Sequence, residues 1–364
     1  MIKLPSGRFV LPRPKVLARF TFVDFALWAL RAGVMLLVIA GTIGTVLKGR
    51  YAAAQWFDLL VFGLTIGSIY ALIALGYTMV YGVLRLINFA HGDIMMTGAF
   101  SGFFMAAALD DSGTIHRHPL VAMAAILLVA VVTATLIAVT TERVAYRPFR
   151  HVPGLAPLIC AIGVSLFLQQ TFRGMFGASI RSYPDFRWER TPIQILGFGI
   201  PMVDVVVMHI AVVAMIVLYI IVQRTRMGTA MRAVSEDTGA AALMGIDVNK
   251  VVMFTFALGG AMAGIAGVCY ALLFKQVYFL MGFTPGIKAF AAAVLGGIGS
   301  IPGAMLGGIF IGLAESIGPA LFLDGLGIPA PYQLRDLVAF TLLIMVLTFR
   351  PHGILRERMA KKRA

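Results

Sequence analysis

Ionisable side chains are scarce in the long apolar stretches of this 364-residue chain, and Lys288 and Glu315 are two of them. Glu315 lies in the middle of one apolar run, and Lys288 lies at the start of another. Because an unpaired charge is costly in lipid, such residues are candidates for function. Either the two form an ion pair inside a helix bundle, or Lys288 extends to the membrane surface while Glu315 contacts another residue or water. We favour the second interpretation, since snorkelling needs no specific partner.

Asn88 and His91 flank Phe89 where polar residues interrupt two apolar runs. Asn88 offers both donor and acceptor groups, which suits a zwitterionic solute that needs few polar contacts. Backbone groups near Gly92 could add further hydrogen bonds. The alternative is that Asn88 and His91 only cap helix ends, and the capping preference of Asn favours this alternative.

Patterns for catalysis and ATP hydrolysis are missing from the sequence. A phosphate-binding loop needs Gly-x-x-x-x-Gly-Lys-[Ser/Thr], and no Gly-Lys pair occurs. No two His or carboxylate residues have catalytic or metal-ligand spacing, and Cys160 and Cys269 each lie alone in an apolar run. We therefore expect no catalytic site, no cofactor and no metal.

The composition predicts an all-α integral membrane protein. Hydrophobic residues make up 60% of the chain and charged residues 13%, with a mean hydropathy of +0.92. Soluble domains carry about 25% charged residues, so a soluble enzyme, a disordered protein and a nucleic-acid module are excluded. The net charge of +14 lies in short clusters between apolar runs, which is typical of membrane-protein loops.

The apolar runs predict a polytopic bundle of about 8–10 transmembrane helices. The candidate spans are roughly 27–47, 58–84, 93–109, 120–140, 155–173, 203–222, 251–273, 285–298, 303–323 and 333–350.

Segments 84–95 and 282–303 predict two broken or short helical elements. The second contains Gly296, Gly297 and Gly299. Broken helices at membrane depth are tolerated where they are buried in protein or line a water-filled cavity. In transporters they often mark the pathway. The alternative is two ordinary tight connections between helices.

Lys and Arg indicate the orientation, since they are about twice as frequent on the side that holds both termini. Both termini are therefore predicted to be cytoplasmic. Residues 1–50 form a basic extension with an extra span, and 356–364 form a basic cytoplasmic tail. The alternative of a cleaved signal peptide is disfavoured, because the apolar run exceeds the 7–15 residues typical of a signal peptide.

Glycines spaced four residues apart predict close helix contacts, because packing in lipid depends on backbone approach. We expect most of these pairs to pack within the chain, although one glycine-rich face could bind a partner subunit. The candidate pairs include Gly282 with Gly286 and Gly308 with Gly312. The six residues chosen for helix packing are Gly63 with Gly67, Gly260 with Gly264, and Gly303 with Gly307.

The segment 224–250 is the longest predicted cytoplasmic loop and contains two short helices with an acidic turn. Glu236 and Asp237 can cap the second helix, and Gly245 suits a left-handed helix end. One interpretation is a hairpin on the lipid surface. The other is a rigid coupling helix that a soluble partner grips, with Arg232 and Leu243 among the coupling residues.

Residues 63–82, 87–93 and 288–304 resemble the LivH permease family of branched-chain amino acid ABC importers. Urea-import permeases are similar over the same motifs. The interior loop, with residues 236–237 and 243–246, resembles the family's ATPase-contacting segment. The likeness covers most of a permease domain at 51–355, whereas residues 1–50 depart from the family's short amino terminus.

The resemblance implies a permease subunit that moves Leu, Ile or Val across a bacterial inner membrane by ATP-driven alternating access. It implies four kinds of contact: a second homologous permease, two cytoplasmic ABC ATPases, a periplasmic binding protein, and membrane lipid, with no nucleic acid. The alternatives are a permease for urea or another small polar solute, and a self-contained secondary transporter or channel. We place eight residues in the pathway: Asn88, His91, Gly92, Lys288, Gly296, Gly297, Gly299 and Glu315.

Overall fold

A computed structural model describes residues 2–3, 9–10, 22–150, 152, 155–195, 197–349 and 353. The predicted basic tail at 356–364 lies outside the described residues.

Helices dominate the described part of the chain, which confirms the predicted all-α class. They are α1 (Phe22–Lys48), α2 (Ala53–Leu84), α3 (His91–Asp111), α4 (Thr114–Arg117), α5 (Pro119–Thr141), α6 (Ala156–Phe176), α7 (Met202–Arg224), α8 (Arg226–Glu236), α9 (Thr238–Leu243), α10 (Val248–Phe274), α11 (Phe283–Gly296), α12 (Ile301–Gly318) and α13 (Arg335–Phe349). Short 3-10 or π turns cover Glu142–Tyr146, Arg147–Phe149, Arg187–Arg190, Pro319–Leu323 and Pro331–Leu334.

Six short strands form three antiparallel pairs. These are β1 (Ile2–Lys3) with β2 (Phe9–Val10), β3 (Arg181–Ser182) with β6 (Gln276–Val277), and β4 (Ile193–Ile195) with β5 (Phe198–Ile200). The β3–β6 pair, in which Arg181 lies opposite Val277, ties the loop after α6 to the end of α10.

Among the described residues, eight helices are long and apolar enough to cross a membrane. They are α1, α2, α3, α5, α6, α7, α10 and α12, where α5 and α12 are counted together with the turns that follow them. Helix α11 has only 14 residues, about 21 Å of helix, against a hydrocarbon core of about 30 Å. The stretch 285–298 is therefore not a full-length helical span.

The chain divides into two compact units, residues 1–50 with 320–331, and residues 51–319 with 332–364. In the first unit, α1 packs closely on residues 320–331, since a Cβ at Gly41 would lie 2.2 Å from the Phe322 carbonyl oxygen. Lys48 Nζ donates to the carbonyls of Asp324 and Gly325 at 2.9 and 3.0 Å. These contacts fix the carboxyl-terminal end of α1 to the loop that contains Asp324 and Gly325.

Helix α2 is the centre of the second unit and is largely buried. It packs on α12 at backbone distance, because a Cβ at Gly308 would lie 2.4 Å from Ala71 Cα. The six predicted packing glycines all lie against another helix of this chain: Gly63 and Gly67 against α12, Gly260 and Gly264 against α5, and Gly303 and Gly307 against α11.

Candidate transport site

Lys288 and Glu315 form an ion pair inside the second unit. Lys288 Nζ lies 2.7 Å from Glu315 Oε1, and each side chain is only 3% exposed. The favoured interpretation, in which Lys288 snorkels to the surface, is therefore wrong. Two further contacts explain why Lys288 stays buried. Asp336 Oδ1 lies 2.7 Å from the same Nζ, and Tyr70 donates a hydrogen bond to Glu315 Oε2 at 2.8 Å. A buried pair is tolerated when further hydrogen bonds satisfy its remaining atoms.

This charge network joins four helices: α2 through Tyr70, α11 through Lys288, α12 through Glu315 and α13 through Asp336. Arg335 adds a second cation, with Nε 3.6 Å from Glu315 Oε1. Two cations and two carboxylates balance, so the network can hold the four helices together without a net buried charge.

The side chains of Asn88 and His91 do not cap α3. The residue before the helix is Ala90, which has no capping side chain. Tyr146 instead donates a hydrogen bond to Asn88 Oδ1 at 2.7 Å, and the His91 imidazole hydrogen-bonds the backbone of Ile73. The capping interpretation is wrong, because both side chains turn into the bundle and find partners on other helices.

Each of these two buried side chains keeps one nitrogen without a hydrogen-bond partner, Asn88 Nδ2 and His91 Nε2. Gly76 makes room for the imidazole, since a Cβ there would lie 2.1 Å from His91 Nε2. The sequence analysis missed Gly76, although it lies within the motif at 63–82.

The two predicted breaks meet in space at their glycines. A Cβ on Gly92 would lie 2.4 Å from the Gly282 carbonyl oxygen and 3.1 Å from Gly286 Cα. A Cβ on Gly282 would lie 2.0 Å from the Gly92 oxygen. Only glycine therefore lets the first turn of α3 touch the first turn of α11.

The remaining predicted glycines lie at the other end of α11. Gly297 and Gly299 have φ values of +103° and +102° and form the turn into α12. A Cβ at Gly296 would lie 1.9 Å from the Gly303 oxygen. This second part of the break is a tight helical hairpin, whereas Gly92, in α3, contacts the opposite end of α11.

A cavity of about 230 Å³ opens at the contact between α3 and α11. Asp93, Ser165 and Gln169 supply its polar side chains, which the sequence analysis did not select. Ser165 and Gln169 are four residues apart on α6, so both can point to one side. Aromatic, aliphatic and glycine residues complete the lining: Tyr77, Phe89, Gly92, Ile162, Leu166, Gly282, Phe283, Gly286 and Ile287.

The predicted coupling segment forms α8 and α9. Asp237 Oδ1 accepts the Ala240 N–H at 2.9 Å and so caps α9, while Glu236 is the last residue of α8. Gly245 ends α9 with φ +84°. Leu243 and Met244 are 91% and 83% exposed, so the tip of this segment is an apolar surface.

The coupling segment is attached firmly to the bundle. The Arg232 guanidinium hydrogen-bonds the Val222 carbonyl at the end of α7, and Arg85 Nη2 donates to the Ser235 carbonyl at 3.1 Å. Because Arg85 follows α2 directly, the segment touches the first break. At the far end, the Lys250 N–H donates to the Asp247 carboxylate, which lowers the pKa of that carboxyl.

Comparison with known proteins identifies the family. The family described as "Branched-chain amino acid transport system / permease component" matches residues 59–347. The chain belongs to this permease family. Its α1 lies outside the matched residues, and the predicted likeness to LivH-type permeases is confirmed.

Two bacterial relatives are similar over nearly their whole length. The high-affinity branched-chain amino acid transport system permease protein BraD of Pseudomonas aeruginosa is 42% identical over 313 residues, 85% of this chain and 98% of BraD. LivH of Escherichia coli (strain K12) is 42% identical over 315 residues, 86% of this chain and 98% of LivH. A solved metal-chelate type ABC transporter matches with 12% identity and a TM-score of 0.42, covering 89% of this chain and 99% of that chain.

Proposed function

We propose that this permease carries Leu, Ile and Val across the bacterial inner membrane as one subunit of an ATP-driven importer. The observation that carries the proposal is the 42% identity to BraD and LivH over 98% of each protein. The subunit itself performs no chemistry, and ATP hydrolysis takes place in two partner ATPases. A second homologous permease and a periplasmic binding protein complete the importer, and both termini face the cytoplasm.

The contacts of the coupling segment support a route for the force. An ATPase that grips the exposed tip moves α8, which is hydrogen-bonded to the end of α7 through Arg232 and to Arg85 at the first break. Movement of Arg85 displaces the chain between α2 and α3. The contact between Gly92 and Gly282 then opens or closes, and the bundle alternates access to the two sides of the membrane.

Reconstitution tests this function. The full chain, co-purified with a second permease and two ATPases and supplied with a periplasmic binding protein from the same organism, is placed in vesicles with radiolabelled leucine. We expect uptake that needs both ATP and the binding protein. Ion-coupled uptake by the chain alone would reject the importer in favour of a secondary transporter, and uptake of urea but not leucine would reject the substrate.

Replacing Leu243 and Met244 with Ser tests the coupling tip. Burying each exposed side chain against the ATPase is expected to stabilise the contact by about 1.5–3 kcal/mol. Without these side chains, ATP-driven uptake should fall about tenfold or more. Leu120→Ser, at another exposed leucine, is the control and should retain uptake. Asp237→Lys is less informative, because it also removes the cap of α9. Normal uptake in the double variant would contradict the coupling role.

A further inference from the structure

Asp93 is a buried carboxylate that accepts hydrogen bonds from two neutral side chains. Ser165 Oγ donates to Oδ2, and Gln169 Nε2 donates to Oδ1 at 2.9 Å. None of the ion pairs found among the described residues includes Asp93, which is 1% exposed. A carboxylate has about four acceptor positions, so Asp93 can accept more bonds. Among the described residues its charge has no counter-ion.

The position of Asp93 in the first turn of α3 stabilises its charge without using up its acceptors. Negative charge is favourable near a helix N-terminus. Glu315 shows the contrast, because its buried charge is matched by Lys288 in the same chain. No described residue supplies such a cation to Asp93, so a bound ligand can supply it.

The cavity beside Asp93 has the size and polarity to admit such a ligand. Its volume is about 230 Å³, whereas a cavity needs only about 10–15 Å³ to hold one water. Ser165 and Gln169 lie with Asp93 among its polar lining, while Ile162 and Ile287 are among its apolar lining. A primary ammonium group on a short aliphatic chain matches this lining, because the ammonium group can bind the polar side chains while the aliphatic chain contacts the apolar ones. A bare metal ion does not, because no group of three metal-binding side chains occurs among the described residues.

We propose that this cavity is a substrate subsite in which Asp93 binds the ammonium group of a free aliphatic amino acid while the apolar wall holds its side chain. The proposal rests on the proposed transport function and names the contact that the pathway makes with the substrate. An aminophospholipid headgroup carries the same ammonium chemistry, so the test separates the two sources.

Uptake by the complete importer is measured in vesicles of phosphatidylcholine and phosphatidylglycerol, which contain no primary amine. Asp93→Asn keeps the size of the side chain and removes its charge, and we expect leucine uptake to fall at least about tenfold. The matched control is Asp204→Asn, since Asp204 is also buried and also lies in the first turn of a helix, but outside the cavity. Uptake by the control should stay within about twofold of wild type.

Thiol labelling reports occupancy even if a variant fails to transport. Leu166→Cys places a thiol in the cavity lining, in a Cys160→Ala background that removes the half-buried native thiol. We expect leucine and isopentylamine, which both carry the ammonium group, to slow labelling by a methanethiosulfonate reagent. 4-Methylpentanoate lacks that group and should not slow it, and Asp93→Asn should abolish the protection.

Each outcome decides between named alternatives. Equal uptake by Asp93→Asn and Asp204→Asn, with no protection by leucine, would overturn the subsite and leave Asp93 a structural residue. Protection that appears only when phosphatidylethanolamine is added would assign the cavity to a lipid headgroup and also overturn it. If wild type takes up no leucine although isopentylamine protects the thiol, the transport function fails and the ammonium site stands.

Discussion

Replacing Lys288 with Met is expected to destabilise the folded chain by about 3 kcal/mol, because the buried Glu315 carboxylate would keep only the partly exposed Arg335 as a cation. The measurement is the midpoint of denaturant unfolding of the purified chain in detergent micelles. Lys250→Met is the matched control, since Lys250 is 73% exposed in its ion pair with Asp247. Exposed pairs contribute about 0–1 kcal/mol, so the control should unfold close to wild type.

A second variant separates the lost charge from the lost side-chain volume. Adding Glu315→Gln to Lys288→Met removes the stranded carboxylate, while Gln keeps an oxygen that Tyr70 can donate to. We expect the double variant to regain a large part of the lost stability. If Lys288→Met costs no more than Lys250→Met, or if the double variant is worse than the single one, the ion pair is not what holds these four helices together.

Gly312→Leu is expected to prevent the close contact between α2 and α12. A Cβ at Gly312 would lie 2.3 Å from Gly67 Cα and 2.6 Å from the Gly63 oxygen. These are backbone atoms, so no side chain can rotate away, and the two helices must separate. We expect the free energy of unfolding to fall by about 4 kcal/mol or more, which is at the extreme for a single substitution. The folded fraction is measured by size-exclusion chromatography of the detergent-solubilised chain.

Gly163→Leu is the matched control for this substitution. Gly163 also lies in a membrane-spanning helix, α6, but has no atom within 4 Å of its hypothetical Cβ. We expect the control to elute as a folded peak of wild-type height. A folded peak of the same height from Gly312→Leu would show that α2 and α12 can pack without backbone contact.

Local sequence was sufficient to predict the membrane class and both ends of α9. Hydropathy over about 20 residues identifies a span because the bilayer imposes that length on any helix that crosses it. The cap on Asp237 and the left-handed Gly245 involve partners within five residues. The family likeness also came from short motifs. Residues 63–82 and 288–304 lie in α2, in α11 and at the start of α12, which pack closely on one another.

Local sequence failed where a polar group finds its partner on a distant helix. Capping was favoured for Asn88 because Asn prefers helix ends, yet its partner is Tyr146, 58 residues away. Snorkelling was favoured for Lys288 because it needs no partner, yet Glu315 and Asp336 lie 27 and 48 residues away. Asp93 was passed over because Ser165 and Gln169 lie more than 70 residues further along the chain.

The order of the amino acids is sufficient to show that this is a membrane protein, approximately where its helices lie, and which permease family it resembles. Only the packing of the helices shows which charges are paired, where the two breaks meet, and that a cavity opens beside Asp93, which has no counter-ion among the described residues. The physical reason is that hydropathy and capping depend on neighbouring residues, whereas a buried charge is satisfied only by the side chains that other helices bring to it.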